Sequence, residues 1–207
     1  MTIYRRSPPL SAALRRFSDI LVLIAFAPVM VPLVLLLALA VKLDSPGPAF
    51  WAQTRLGRGG RTFRLLKLRT MCADAEQRKA DLKHLNVLRW PDFKVPNDPR
   101  VTRVGRWLRR TSLDELPQLW NLLRGEMTLF GPRPCSIPAS HYKLWQTERL
   151  EATPGVFGHW QATSRNEADF DTRCRMDIAQ IRSKSIPSAL TVVGATMVAL
   201  ITTHEDF

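Results

Sequence analysis

Cysteine is scarce and unpatterned in this 207-residue chain. Cys72, Cys135 and Cys174 are odd in number and far apart, which excludes a disulfide framework or zinc knuckle and points to a reducing, cytosol-facing setting. Histidine is no better placed: His84, His141, His159 and His204 are scattered, with no two at metal-ligand spacing. Acid is short, with 18 Asp+Glu against 30 Lys+Arg, a formal net charge of +12. That imbalance points to a polyanionic partner, whether nucleic acid, an anionic membrane surface or a phosphorylated substrate. The ten glycines form neither a dinucleotide fingerprint nor a P-loop. Repeats and low-complexity tracts are missing too. The length suits a single domain, residues 1–207, able to bury its own core.

What the chain does have is one long apolar run. Ile20 to Val41 is 22 residues without a charge, long enough to cross a bilayer core of roughly 30 Å. It exceeds a signal-peptide h-region and ends at Lys42-Leu43-Asp44 with no small-residue cleavage site. Pro28 and Pro32 fall in its middle, where each removes a backbone donor and predicts a kink. Arg5, Arg6, Arg15 and Arg16 precede the run, and Lys42, Arg55, Arg58 and Arg61 follow it. Equal positive flanks place both ends on the cytoplasmic side. A helix over 20–41 that enters, bends near Pro28 and returns satisfies both; a simple span is the rival. Ala189 to Ile201 is too short to bring the chain back and is predicted as a core or interface-lying helix.

Beyond this segment, residues 42–207 read as a catalytic part of α/β class, mostly helical with a small β-hairpin. FWAQTRLGRGGRTFRLLKLRT gives two β-rich arms around a glycine turn, with Lys67 and Arg69 two apart and hence on one strand face. Met71 to Leu88 is predicted as a solvated helix, and Trp90 to Pro99 as a loop. RVTRVGRWLRR forms a basic amphipathic helix, Arg100, Arg103 and Arg106 on one face, suited to a membrane surface or a phosphate-rich site. PQLWNLLRGEM is a second such helix ending near Gly125, and TLFGPRP a proline-bounded loop presenting Arg133.

Between the two helices lies SLDE, with adjacent acids Asp114 and Glu115. Ser112 and Glu115 match a capping box. Pro117 argues against it, because a helix capped at Ser112 would carry that proline as its fifth residue. A start at Asp114 or Glu115 puts Pro117 in the first turn and the acids at the positive end of the helix dipole, which favours their charged forms. Neighbours on a helix diverge by about 100°, so the two acids suit different tasks. From these residues alone, catalysis and capping both stand.

Four motifs in order carry a resemblance: KLRTM at 67–71, DPRVTRVGRWLRRTSLDELPQLWNLLRGEM at 98–127, GPRP at 131–134 and PGVFGHWQATSRN at 154–166. With RRFSDI upstream, the chain resembles the monotopic polyprenyl-phosphate phosphoglycosyl transferases, the bacterial sugar transferase family that initiates exopolysaccharide, capsule and glycan synthesis. The resemblance implies transfer of a sugar-1-phosphate from a UDP-sugar, glucose or galactose favoured, to polyprenyl phosphate at the bacterial inner membrane, releasing UMP. It implies Asp114 as nucleophile and Mg²⁺ contact, Glu115 as its assistant, and Lys67, Arg69, Arg109, Arg133, Arg165 and Asn166 as substrate or phosphate contacts. The family's membrane helix breaks at Ser-Pro, for which this chain has Ala27-Pro28. GEM, Phe130 and HWQATSRN are further departures, the last bearing on sugar choice.

A membrane-anchored nucleic-acid-binding protein, or a scaffold without catalysis, would also be basic with one apolar segment. The first calls for stacking aromatics among its basic residues, whereas here the arginines run into an acidic pair that would repel phosphate. The second would be indifferent to Asp114. The expected partners are therefore a UDP-sugar, polyprenyl phosphate and membrane lipid, and not nucleic acid.

Overall fold

A computed structural model describes residues 9–87, 93–158 and 169–183. The described chain opens with α1, a helix over Pro9–Asp44 that carries both Pro28 and Pro32. It extends well beyond the apolar run at its N-terminal end. Leu21, Ile24, Phe26, Val29, Val31, Leu35 and Leu36 are exposed along its middle, as a helix solvated by lipid rather than by protein would be. It is the one helix among the described residues long and apolar enough to cross a membrane.

Both ends of α1 are tied to the globular part. Near its start, Arg16 donates to the carbonyls of Leu122 and Leu123, and Asp19 accepts from Thr128 Oγ1 at 2.6 Å and Leu129 N at 3.2 Å. At its end, Leu37, Ala38 and Val41 join Ala49, Leu68 and Leu108 in the main core cluster. The core therefore begins inside the apolar run: Leu33, Leu37, Ala38 and Val41 serve protein packing, while Leu35, Leu36 and Leu39 stay exposed.

The expected hairpin forms: β1, Phe50–Leu56, pairs antiparallel with β2, Thr62–Leu68, around a turn at Arg58–Gly60. Gly59 (φ 67°) and Gly60 (φ 76°) adopt the left-handed conformation that makes the reversal short. Past β2, Met71 to Leu88 departs from the predicted helix. Its described part consists of turns with two short 3-10 segments, Gln77–Lys79 and Lys83–Leu85, and mostly i to i−3 hydrogen bonds. None of its described residues is buried, so no tertiary contact rewards α-helix propagation.

Helix α2, Arg103–Thr111, follows. Thr102 caps it by accepting from Gly105 N, while Asp44 at the end of α1 accepts from Val104 N at 3.0 Å. Two otherwise orphaned amides are thus satisfied, one of them by the end of α1. Arg100 stands outside α2, correcting its place on the basic face. It is buried against Asp98, and its path is fixed by the bridge between Val101 and Met71.

Helix α3, Gln118–Leu123, ends as expected at Gly125, whose φ is 75°. Strand β3, Thr128–Phe130, pairs in parallel with β4, Gly155–Phe157. Helix α4, Phe170–Ser183, closes the described structure and packs on the 3-10 segment Leu144–Glu151. The predicted helix at 189–201 lies outside the described residues.

Candidate active site

The acidic pair sits in the joint between α2 and α3. Ser112 ends α2 in the left-handed region (φ 54°, ψ 17°), which turns the chain into a 3-10 segment, Leu113–Glu115. Pro117, with φ −62°, then leads into α3 without deleting a needed hydrogen bond. Ser112 makes no side-chain cap, and the Glu115 carboxylate is engaged elsewhere, so the capping box does not form. The left-handed serine, unavailable to a local reading, overrides it.

Glu115 is held from two sides. Lys67 Nζ, near the end of β2, donates to Oε1 at 2.7 Å. Arg133 places both terminal nitrogens on the carboxylate, Nη1 at 3.1 Å from Oε2 and Nη2 on Oε1. Burial pushes the Glu115 carboxyl up, but the Arg133 and Lys67 charges overcome it and hold it well below the usual carboxylate range. Burial likewise works against charged Arg133, and the Glu115 charge outweighs it. This is a closed, charge-assisted pair.

Asp114 is different. Lys67 Nζ lies 3.8 Å from its Oδ2, and among the described residues its carboxylate accepts no hydrogen bond. Its side chain retains 11% exposure. Burial pushes its carboxyl above the ordinary aspartate range, with Lys67 pulling back, Glu115 reinforcing the rise, and Arg109 and Arg133 opposing it. The helix-end effect expected from sequence is thus outweighed by desolvation. The adjacent acids have diverged: one is neutralised by partners, and the other is a carboxylate of raised pKa, with no hydrogen bond among the described residues, in a cationic setting.

The supporting framework explains several motif residues. Gly105 lies against the backbone of Thr70, where an added Cβ would come within 2.1 Å of its carbonyl oxygen. One helical turn later, Arg109 Nε donates to Thr70 Oγ1 at 2.9 Å. Burial lowers the Arg109 pKa, with Asp114 countering. Asn121, fully buried, receives Leu66 N on Oδ1 and donates through Nδ2 to Arg64 O and Glu126 Oε2. It fixes α3 to the edge of β2 opposite β1, setting Glu115 against Lys67. In the GPRP loop, Gly131 and Gly155 pack backbone to backbone, with Gly131 N on Phe157 O at 3.1 Å and Gly155 N on Pro132 O at 3.0 Å. That contact aims Arg133 at Glu115.

The structure thus brings together Asp114, Glu115, Lys67 and Arg133, with Arg109 behind them. It does not bring Arg69 there. Arg69 is buried and donates to Pro48 O, Ser45 Oγ, Ser45 O and Met71 O, clamping the exit from α1. Strand β2 ends at Leu68, so the shared face expected for Lys67 and Arg69 is lost at the strand's last residue. Arg165 and Asn166 lie outside the described residues. Asn121, Thr70 and Thr102 went unread in the sequence, although Thr102-x-x-Gly105 ahead of a basic amphipathic stretch was a readable cap signal.

Among the described residues no three His, Cys, Asp or Glu groups converge on a metal position. Mg²⁺ is commonly held by one or two carboxylates plus substrate phosphates rather than by a protein cage. Asp114, free of hydrogen bonds, fits that donor pattern.

The chain matches the Bacterial sugar transferase family over residues 10–203. It is 42% identical over 153 residues to "Galactosyl transferase CpsE" of Streptococcus agalactiae serotype III (strain NEM316), covering 73% of this chain and 34% of that protein. It is 38% identical over 203 residues to "UDP-glucose:undecaprenyl-phosphate glucose-1-phosphate transferase" of Caulobacter vibrioides (strain ATCC 19089 / CIP 103742 / CB 15), covering 93% and 72%. "Exopolysaccharide production protein ExoY" of Sinorhizobium fredii (strain NBRC 101917 / NGR234) is 34% identical over 199 residues, covering 93% and 87%. The chain spans about a third to two fifths of the length of several other curated relatives and of the streptococcal protein.

Proposed function

The chain belongs to the bacterial sugar transferase family, and on that footing we propose that it transfers a sugar-1-phosphate from a UDP-sugar to polyprenyl phosphate, releasing UMP. The observation that carries the reading is the uncommitted Asp114 carboxylate beside a Glu115 already neutralised by Arg133 and Lys67. Relatives named for galactose and glucose transfer support a UDP-hexose donor.

In this reading an Asp114 oxygen attacks the sugar-bearing phosphorus of the diphosphate. The bond from that phosphorus to the bridging oxygen breaks, and UMP leaves with the electron pair. An oxygen of polyprenyl phosphate then attacks the same phosphorus and expels the Asp114 carboxylate, giving polyprenyl-diphosphate-sugar. A carboxylate nucleophile divides one difficult displacement into two. Its raised pKa makes it a stronger base, and the surrounding cations neutralise the non-bridging oxygens that would repel it. Glu115 holds Lys67 and the Arg133 fork in place, so these cations are oriented before substrate arrives. Mg²⁺ bound through Asp114 would add charge neutralisation on the diphosphate.

The membrane arrangement is part of the proposal. Helix α1 enters the inner membrane from the cytoplasm and returns to the same face, bending at Ala27-Pro28. Its support is that Arg16 and Asp19 at one end, and Val41 and Asp44 at the other, are tied to one globular body. This keeps the site at the lipid surface where the acceptor's phosphate lies. Purified protein in polyprenyl-phosphate vesicles with Mg²⁺ and a panel of UDP-sugars should release UMP with at least one hexose donor. Release with none of them would overturn the reading.

A further inference from the structure

Behind the GPRP loop, on the side away from Glu115, lies a second buried ion pair. Arg149, in the 3-10 segment Leu144–Glu151, is only 4% exposed and Asp177, on α4, is fully buried, with Nη2 to Oδ2 at 2.5 Å. The same Nη2 donates to the carbonyl oxygen of Arg133 at 3.0 Å. Nη1 approaches Cys174 Sγ at 3.9 Å, and the guanidinium stands 5.8 Å from the Phe170 ring centre. Among the described residues, Asp177 Oδ1 has no hydrogen-bond partner. Burying two charges this far from water is costly unless geometry repays it, and apolar side chains would fill the space at less risk. What an apolar pair could not do is grip a backbone carbonyl in the loop that carries Arg133.

We propose that Arg149, held in place by Asp177, is a positioning residue that sets the Arg133 backbone so that its guanidinium meets Glu115 and the substrate's phosphates together. The loop is then fixed at two successive carbonyls: Pro132 O by Gly155 N, and Arg133 O by Arg149. With Pro132 and Pro134 on either side, little freedom remains in the backbone. Helix α4, remote in sequence from the acids, thereby reaches the site through two contacts. Burial raises the Asp177 carboxyl to about 6 against the pull of Arg149, so the pair is mostly ionised only above that pH.

The kinetic part of this proposal rests on the transferase reading; its structural part does not. The variant is Arg149→Lys, which keeps the charge near Asp177 but loses the flat fork, and Asp177→Asn is its companion should the lysine variant fail to fold. Hydrogen exchange on the membrane-reconstituted full chain should quicken at the Gly131, Arg133 and Cys135 amides while α2 and α3 stay as in the parent. Unchanged loop exchange overturns the proposal whether or not any sugar is transferred. In UMP release, Arg149→Lys should lower kcat on the order of ten- to a hundredfold with KM for the donor within about threefold. Combined with Arg133→Lys, it should add little to the loss that Arg133→Lys causes alone. Fully additive losses, or a change confined to melting temperature, would mean that Arg149 serves only the fold. Absence of UMP release from the parent protein would instead strike the transferase reading and leave the exchange result to decide this one.

Discussion

Two acid–cation clusters stand 16 residues apart in one motif, Asp98 with Arg100 and Asp114–Glu115 with Lys67 and Arg133, and they are built to opposite ends. Asp98 spends both oxygens on Arg100: Oδ1 takes the backbone amide at 3.0 Å and Nε at 2.9 Å, and Oδ2 takes Nη2 at 2.6 Å. Arg100 uses its remaining reach on Ala75 O. Nothing is left over, and the pair ties the start of α2 to the chain after β2. In the second cluster Glu115 is spent in the same way, but the adjacent Asp114 is not. Burial and charge are common to both; what separates Asp114 from Asp98 is that neither oxygen of Asp114 is spent on a hydrogen bond among the described residues.

The sharpest way to break this contrast is to remove each acid in turn. Asp114→Asn should cut UMP release on the order of a thousandfold or more while melting and membrane association stay as in the parent. Arg133→Lys, which replaces a fork with a point charge, should cost about a hundredfold in kcat with KM less affected. Asp98→Ala should do the reverse. Leaving Arg100 buried without its partner should cost about 3–5 kcal/mol in unfolding free energy, with transfer intact in the protein that remains folded. Loss of transfer from a stable Asp98→Ala protein would put Asp98 in the chemistry and erase the distinction.

Acidity distinguishes the clusters with opposite signs. Burial pushes Asp98 up, but its bonds to Arg100 prevail and lower its pKa. Ionised Asp98 therefore contributes stability above the ordinary aspartate range, lost as pH falls through the depressed value. Asp114 is raised, so its reactive anion is lost first on acidification. The acid limb of the UMP-release profile should sit above about 4, the ordinary aspartate pKa, while the fold persists to lower pH. A limb at or below that value would exclude a desolvated nucleophile. The smallest effect concerns Ser112. Because its left-handed backbone carries no side-chain cap, Ser112→Gly should be neutral or stabilise by up to about 1 kcal/mol. A loss of a few tenths of a kcal/mol in thermal melts would restore the capping reading, since glycine replaces a capping serine at about that cost.

How far the sequence reached depended on how local each cause was. The hairpin was legible because its glycine turn and β-rich arms are contiguous, and α3 because Pro117 and Gly125 mark its ends. The apolar run was legible by length, but not that Leu37, Ala38 and Val41 belong to the protein core, since lipid and core ask for the same side chains. Met71 to Leu88 had helix-forming residues and nothing to bury. At the site, Asp114, Glu115, Lys67 and Arg133 were named from motifs, and the structure groups them. Arg69 stood beside Lys67 in the same motif yet faces a different task, because the strand ends between them. Arg149 and Asp177 were invisible: their partner is a backbone carbonyl, which no residue pattern records.

The central claim, that Asp114 and not Glu115 becomes bonded to phosphorus, is tested most directly by intact-protein mass spectrometry after incubation with the UDP-sugar and Mg²⁺ but no polyprenyl phosphate. A sugar-phosphate adduct should form, map to Asp114, clear when acceptor is added, and be missing from Asp114→Asn. Undiminished UMP release by Asp114→Asn, or an adduct that persists in it, would exclude Asp114 as the residue bonded to phosphorus.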